Sequence, residues 1–176
     1  MLNALITSKT RIKLLLKFFL NSNNQDYLRK LETDLGDNTN AIRQELIRLE
    51  DAGLLKSFSK GNKKYFQSNV NHPLFADIHS IIMKITGLDE LVKRVLNNIG
   101  SLEEVYLTGD LAKGNNSDVI ELILIGEIKQ DYIIETILKA QAYINKKIDF
   151  TVYNPSEFQS NEKNIIMSQD LLIWKK

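Results

Sequence analysis

Residues 108–126 read TGDLAKGNNSDVIELILIG. Gly109 and Gly114 bracket a short turn that holds Asp110 and Lys113, and after a polar step comes a strand-like run, VIELILI. A small flexible loop can wrap its amides around phosphate oxygens, and carboxylates beside it can hold a hard cation. Loops of this shape often hold the phosphates of a nucleotide. The acids that follow this one are Asp118 and Glu121, three residues apart. Alternate residues of a strand share a face, so this odd spacing sends the two carboxylates to opposite faces of a regular strand.

Composition removes several other chemistries. The chain of 176 residues has no cysteine, which excludes a disulfide framework and a thiolate metal site, and its two histidines, His72 and His79, argue against a zinc centre. They are expected as a cap and a surface residue. With 43% hydrophobic and 26% charged residues, the chain has ordinary globular composition and enough length for one domain or two small ones. The early run IKLLLKFFL is interrupted by Lys17, leads into NSNNQDY rather than a cleavage site, and is too short to span a bilayer. A cytoplasmic location and no membrane partner are expected. Charge is uneven along the chain: residues 1–71 hold 12 Lys and Arg against 7 Asp and Glu, residues 72–176 hold 11 against 15. A basic front and an acidic rear predict two units with different partners.

The basic half shows helical periodicity three times. Ile12, Leu15, Leu16, Phe19 and Leu20 recur at helical spacing after Thr7 or Ser8 as N-cap. Leu28, Leu31 and Leu35 follow, closed by Gly36 as a C-cap. NAIRQELIRLEDAGLL is the third helix, with core face Ile42, Leu46 and Leu49 and with Asp37 or Asn38 as its cap. Leu55–Ser59 and Lys64–Ser68 then read as a hairpin with a basic tip. Two short helices joined at a glycine turn are a helix-turn-helix, and the hairpin behind them would be a wing.

IRQELIRLEDAGLL resembles the recognition helix of ArsR-like winged-helix transcriptional regulators, with Ile42, Leu46, Leu49, Gly53, Leu54 and Leu55 at the positions of that pattern. The resemblance covers about half of the chain. It implies binding to double-stranded DNA, with the N-terminal half of the third helix in the major groove. The outward side chains there are Thr39, Asn40, Arg43, Gln44 and Ile47. Arg43 suits a guanine edge and Gln44 an adenine edge, because each can make two parallel hydrogen bonds. Lys60, Lys63 and Lys64 of the wing, with Lys9 and Arg11, are expected on phosphates, where they add affinity but no sequence information. The chain departs from metal-sensing members of that family in lacking every cysteine, so metal-controlled release does not carry over.

NHPLFADIHSIIMKITG is a further apolar helix, with Pro73 in its first turn and Gly87 at its end, and LDELVKRVLNNIG starts another through Leu88, Leu91, Val92, Val95, Leu96 and Ile99. Residues 11–20 and 73–99 carry more apolar side chains than one small domain needs to cover, which predicts a homodimer.

In the rear half EEVYLTG, DVIELILIG and KKIDFTVYN are strand-like, with the helix DYIIETILKAQAYINKK between the second and third. This is a small α/β arrangement. GDLAKGNNSDVIELILI resembles the signature of minimal nucleotidyltransferases of the polymerase-beta type over about residues 87–160, through Gly109, Ala112, Lys113, Gly114 and the apolar strand residues. The resemblance implies nucleotide binding by Gly109, Asp110, Lys113 and Gly114, and it puts Asp149 at the family's third carboxylate. The departures fall on the chemistry. Asp110 stands where a phosphate-binding serine belongs, and Asp118 and Glu121 are spaced so that one of the paired carboxylates is missing. Two-metal phosphoryl transfer needs both clamps. Glu121 and Asp149 are therefore the remaining metal candidates, and Mg²⁺ is expected only if nucleotide binding is retained. The tail begins with a proline-serine turn into a short helix and ends in DLLIW, an edge strand or an element packed beneath the sheet.

The sequence thus predicts an α+β chain: a winged helix-turn-helix domain with a connector helix in residues 1–86, and a small α/β nucleotidyltransferase-like domain in residues 87–176. The function expected is DNA-binding transcriptional regulation, without catalysis, with a nucleotide or small molecule as effector. The alternatives are an active nucleotidyltransferase and a winged-helix adaptor for protein interaction.

Overall fold

The structure, a computed structural model, describes residues 6–94, 96 and 99–176. The chain divides into two compact units, Met1–Ile85 with Gly114–Asn116, and Thr86–Lys113 with Ser117–Lys176.

In the first unit, α1 (Lys9–Phe19) starts at Ser8, whose hydroxyl accepts from the Arg11 amide at 3.2 Å. That bond satisfies one of the donors a helix start leaves open. Every residue from Leu14 to Leu20 is buried, so the later turns of α1 are enclosed on all sides rather than along one stripe. Lys17, 2% exposed, is held in that setting by Asp26 at 3.1 Å and Asp34 at 3.0 Å. A charge removed from water needs such counter-charges, and taking one away leaves the others uncompensated. Asp26 is supplied by β1 (Asp26–Tyr27), a two-residue strand absent from the sequence-level reading.

α2 (Leu28–Leu35) ends at Gly36, which takes the left-handed conformation (φ 63°) and returns its amide to the Glu32 carbonyl. α3 (Thr39–Asp51) is capped by Asn38, which accepts from the Asn40 amide at 2.9 Å. Asp37 is engaged elsewhere, by Lys13 at 2.6 Å and Thr10 at 2.9 Å. Ile42, Leu46 and Leu49 are the buried face of α3. β2 (Leu55–Lys60) and β3 (Lys63–Ser68) turn at Gly61 and Asn62 and, with β1 on the far side of β3, form a three-stranded antiparallel sheet ordered β1-β3-β2.

α4 (Phe75–Thr86) lays Phe75 against Phe19, ring centroids 5.7 Å apart. His72 accepts from the Leu74 amide as a cap would. His79, expected at the surface, is half-buried, with Nδ1 2.7 Å from the Phe19 carbonyl oxygen. Ile82 is buried, whereas Leu74, Ile81 and Ile85 remain exposed.

The second unit starts with α5 (Leu88–Arg94); Val95, predicted on the same helix, lies outside the described residues. β4 (Leu102–Thr108), the single-turn α6 (Gly109–Ala112), β5 (Val119–Gly126), α7 (Gln130–Ile144), β6 (Lys147–Tyr153), α8 (Pro155–Ile165) and β7 (Leu171–Lys175) complete it. The sheet runs β6-β5-β4-β7. β5 and β6 are parallel, which requires a crossover, and α7 is that crossover. The other pairings are antiparallel, and DLLIW forms the edge strand β7 beside β4.

One sheet face buries Val105, Leu107, Ile120, Leu122 and Leu124, and Ile133, Ile137 and Ala140 of α7 are buried with them. The other face carries Tyr106, Thr108, Glu121, Ile123 and Asp149, partly covered by Phe158 of α8, whose ring lies 5.9 Å from that of Tyr106. The fold is thus mixed α+β, with eight helices and two sheets among the described residues. No helix of these is long and apolar enough to cross a membrane.

Candidate nucleic-acid interface and glycine loop

α3 separates its two faces cleanly. With Ile42, Leu46 and Leu49 committed to the core, Asn40, Arg43, Gln44, Ile47 and Arg48 are exposed. Ile47 is 47% exposed, an apolar side chain left in water on an otherwise polar face. Thr39 is less available: it is half-buried, and its hydroxyl donates to the Glu32 carboxylate.

The hairpin lysines differ among themselves. Lys60 is exposed at the tip. Lys63 sits over the Tyr27 ring, 4.1 Å from its centroid, a cation–π contact that leaves the ammonium group partly hydrated. Lys64 is bound to Glu50 at 2.7 Å. That hydrogen bond, with one from Ser57, holds the Glu50 carboxyl below its usual range. Lys64 is thus already part-neutralised at the surface where a phosphate would meet it.

Lys9 is exposed, but Arg11 is not a free cation. Its guanidinium takes both oxygens of the buried Glu45, at 2.8 and 3.3 Å. Burial alone would raise the Glu45 carboxyl, but the bonds from Arg11 and Ser8 outweigh it and hold the carboxyl below its ordinary range. Arg11 therefore ties α1 to α3, and to meet a phosphate it would first have to break a bidentate pair to a buried carboxylate.

Between α2, α3 and β3 the first unit has a cleft of about 550 Å³. Leu28, Leu46, Ile47 and Phe66 form its apolar lining, and Arg29, Arg43, Lys63 and Lys64 are the cations around it. Glu32 and Tyr27 complete one wall. Arg29, Glu32 and Tyr27 have no place in the sequence-level interface. The signal that joins them to it is the register Tyr27↔Tyr65, which brings the start of α2 beside the hairpin. A two-residue strand has too little periodicity to read.

In the second unit, the glycine loop leaves β4 at Thr108 and turns at Gly109 (φ 68°) into α6. Gly109 lies under the Glu121 carboxylate: a Cβ there would stand 2.0 Å from Oε1. The half-buried Lys113 is 3.5 Å from the exposed Asp110, and Gly114 also has a left-handed backbone (φ 75°). Asp118 precedes β5, and Ser117 rather than Asp118 accepts from the Val119 amide.

Glu121 and Asp149 are register neighbours on parallel strands, so they share a face and line a hollow of about 250 Å³ with Thr108 and Thr151. Asp149 is paired with Lys147 at 2.8 Å. Among the described residues no three His, Cys, Asp or Glu side chains converge as metal ligands. Two carboxylates, one already countered by a lysine, do not fit the paired-cation clamp of phosphoryl transfer.

No protein-family model matches this chain, and no curated protein matches it. Among solved structures, the crystal structure of a "putative nucleotidyltransferase" from Sulfolobus solfataricus aligns with a TM-score of 0.36 and 20% identity, over 61% of this chain and 94% of the other. At that score the likeness carries no argument about this chain, and the functional reading rests on the side chains just described.

Proposed function

We propose that this protein is a DNA-binding transcriptional regulator that acts as a homodimer, with a winged helix in its first unit and a nucleotidyltransferase-like second unit that has lost catalysis and serves as sensor or scaffold. One observation carries the DNA reading: Arg43 and Ile47 of α3 line the same surface cleft as Lys63 and Lys64 of the hairpin. A base-reading helix and a basic hairpin on a single face are what a winged helix presents to a duplex. Selection from a pool of random duplexes tests it. The expected outcome is an enriched half-site, repeated about one helical turn away as a dimer requires; retention of no duplex at all would overturn it.

The rival reading, an active nucleotidyltransferase, draws on Glu121 and Asp149 standing side by side near Gly109. Incubation with labelled nucleoside triphosphates and Mg²⁺ or Mn²⁺ is expected to release no pyrophosphate. Turnover lost in both Glu121→Ala and Asp149→Ala would restore the enzyme.

A further inference from the structure

The cleft between α2, α3 and β3 has the make-up of a ligand site. Its volume of about 550 Å³ lies within the roughly 300–1,000 Å³ that holds small organic molecules. Leu46 and Phe66 in its lining are 1% and 6% exposed, so they are fixed by the core and offer a ligand only a narrow rigid apolar edge. Ile47 extends that surface outward, where it otherwise costs free energy in water. Around this floor stand Arg29, Arg43 and Lys63, and Glu32 is the lone carboxylate of the lining, already accepting from Thr39. Arg29 and Arg43 have no ion-pair partner among the described residues, unlike Arg11 and Arg48, which share Glu45. No side chain caps the start of α2, whose first turn also lines the cleft. An apolar floor beneath unpaired guanidinium groups selects against cations and against fully polar anions alike.

We infer that this cleft binds a small organic anion, a flat or chain-like apolar body bearing one carboxylate or sulfonate, with the apolar part on Leu46, Ile47 and Phe66 and the acid group between Arg29 and Arg43. A guanidinium pairs a carboxylate through two parallel hydrogen bonds, which fixes the ligand's orientation as well as its charge. This deepens the proposed function at the same surface, because such a ligand occupies the side chains that would meet DNA. It would act as an effector by direct occlusion, with no conformational relay. The binding itself does not depend on DNA.

The test uses the full chain and two probes with the same aromatic body, 2-naphthalenesulfonate and the uncharged 2-naphthalenemethanol, followed by amide chemical shifts and calorimetry. Shifts are expected to cluster on residues 27–32, 39–47 and 63–66. The sulfonate should bind at least about tenfold more tightly than the alcohol, the effect of one charge-assisted hydrogen bond. Ile47→Asp, at an exposed position, should abolish binding with the fold intact, and the double variant Arg29→Gln, Arg43→Gln should remove the preference for the sulfonate. Shifts that fall elsewhere, equal affinity for both probes, or binding of an acidic apolar peptide while both probes fail would each overturn the inference. A duplex arm separates it from the proposed function. If the sulfonate binds in the cleft but no duplex is ever retained, DNA reading fails and the ligand site stands. If a duplex binds and saturating sulfonate leaves it bound, the occlusion fails.

Discussion

Charge at single residues has two fates in this protein, and burial decides between them. Lys17 and Arg11 are spent on structure: one is enclosed with Asp26 and Asp34, the other grips the buried Glu45. Breaking such a buried arrangement by deleting one partner typically costs about 3–5 kcal/mol. Lys17→Met should therefore lower the urea midpoint by the equivalent of that loss, and a shift worth less than about 1 kcal/mol would mean the ammonium group contributes little. Glu45 also gives a pH signature. Its folded carboxyl lies below its ordinary value of 4.5, after burial is outweighed by Arg11 and Ser8. The unfolded chain thus binds the proton first, so this stability is present above about pH 4.5 and is lost as pH falls through the lower folded value. Glu45→Gln should flatten the acid limb of a stability curve, and an unchanged limb would place the linkage in other groups. Arg43 has the other fate: exposed on α3, it makes no ion pair among the described residues. Arg43→Ala is expected to cost about 1–3 kcal/mol on a selected site and less on random duplex. Equal loss on both would recast it as a phosphate-binding residue.

At the scale of elements, the sequence was informative wherever an element is long enough to repeat its own period. α3 declares its core face through Ile42, Leu46 and Leu49, and the basic hairpin declares itself by its turn and alternating strands. β1 could not be read, because two residues carry no period and its place depends on pairing with β3, roughly forty residues on. α1 differs in another way: its apolar residues suggest surplus surface, and Leu14 to Leu20 are all buried within the chain. The stripe pattern assumes one solvent face, and α1 has none over those turns. Around the glycine loop, the spacing sets Asp118 and Glu121 on opposite faces of one strand, whereas Asp118 precedes β5, and it could not reveal that Gly109 lies beneath the Glu121 carboxylate. Gly109→Ala should cost about 1 kcal/mol for the left-handed backbone alone. The larger effect should be displacement of the Glu121 side chain, which is flexible at its end. Thermal unfolding of Gly109→Ala, Glu121→Ala and the double variant checks this: a coupling energy of at least about 0.5 kcal/mol is expected, and strict additivity would show that the two residues do not interact.

For the whole molecule the open question is what covers α4. Leu74, Ile81 and Ile85 are exposed together, while Phe75 and Ile82 face their own unit. A homodimer built on this face is expected, and light scattering of Ile81→Glu with Ile85→Glu should report a monomer where the unaltered protein reports a dimer. If the unaltered protein is already a monomer at micromolar concentration, α4 is not a subunit interface. The central claim, that the basic first unit meets a duplex through α3 and the hairpin, is tested most directly by duplex affinity measured across a range of salt. Counterion release gives the logarithm of affinity a slope near −0.9 per neutralised phosphate. Replacing Lys60, Lys63 and Lys64 together with alanine should flatten that slope by about one unit for each phosphate left without its lysine, with Lys64 mattering least because it is shared with Glu50. A steep slope that flattens in the triple variant is the predicted result; a slope near zero, or one the three substitutions leave unchanged, would contradict the account.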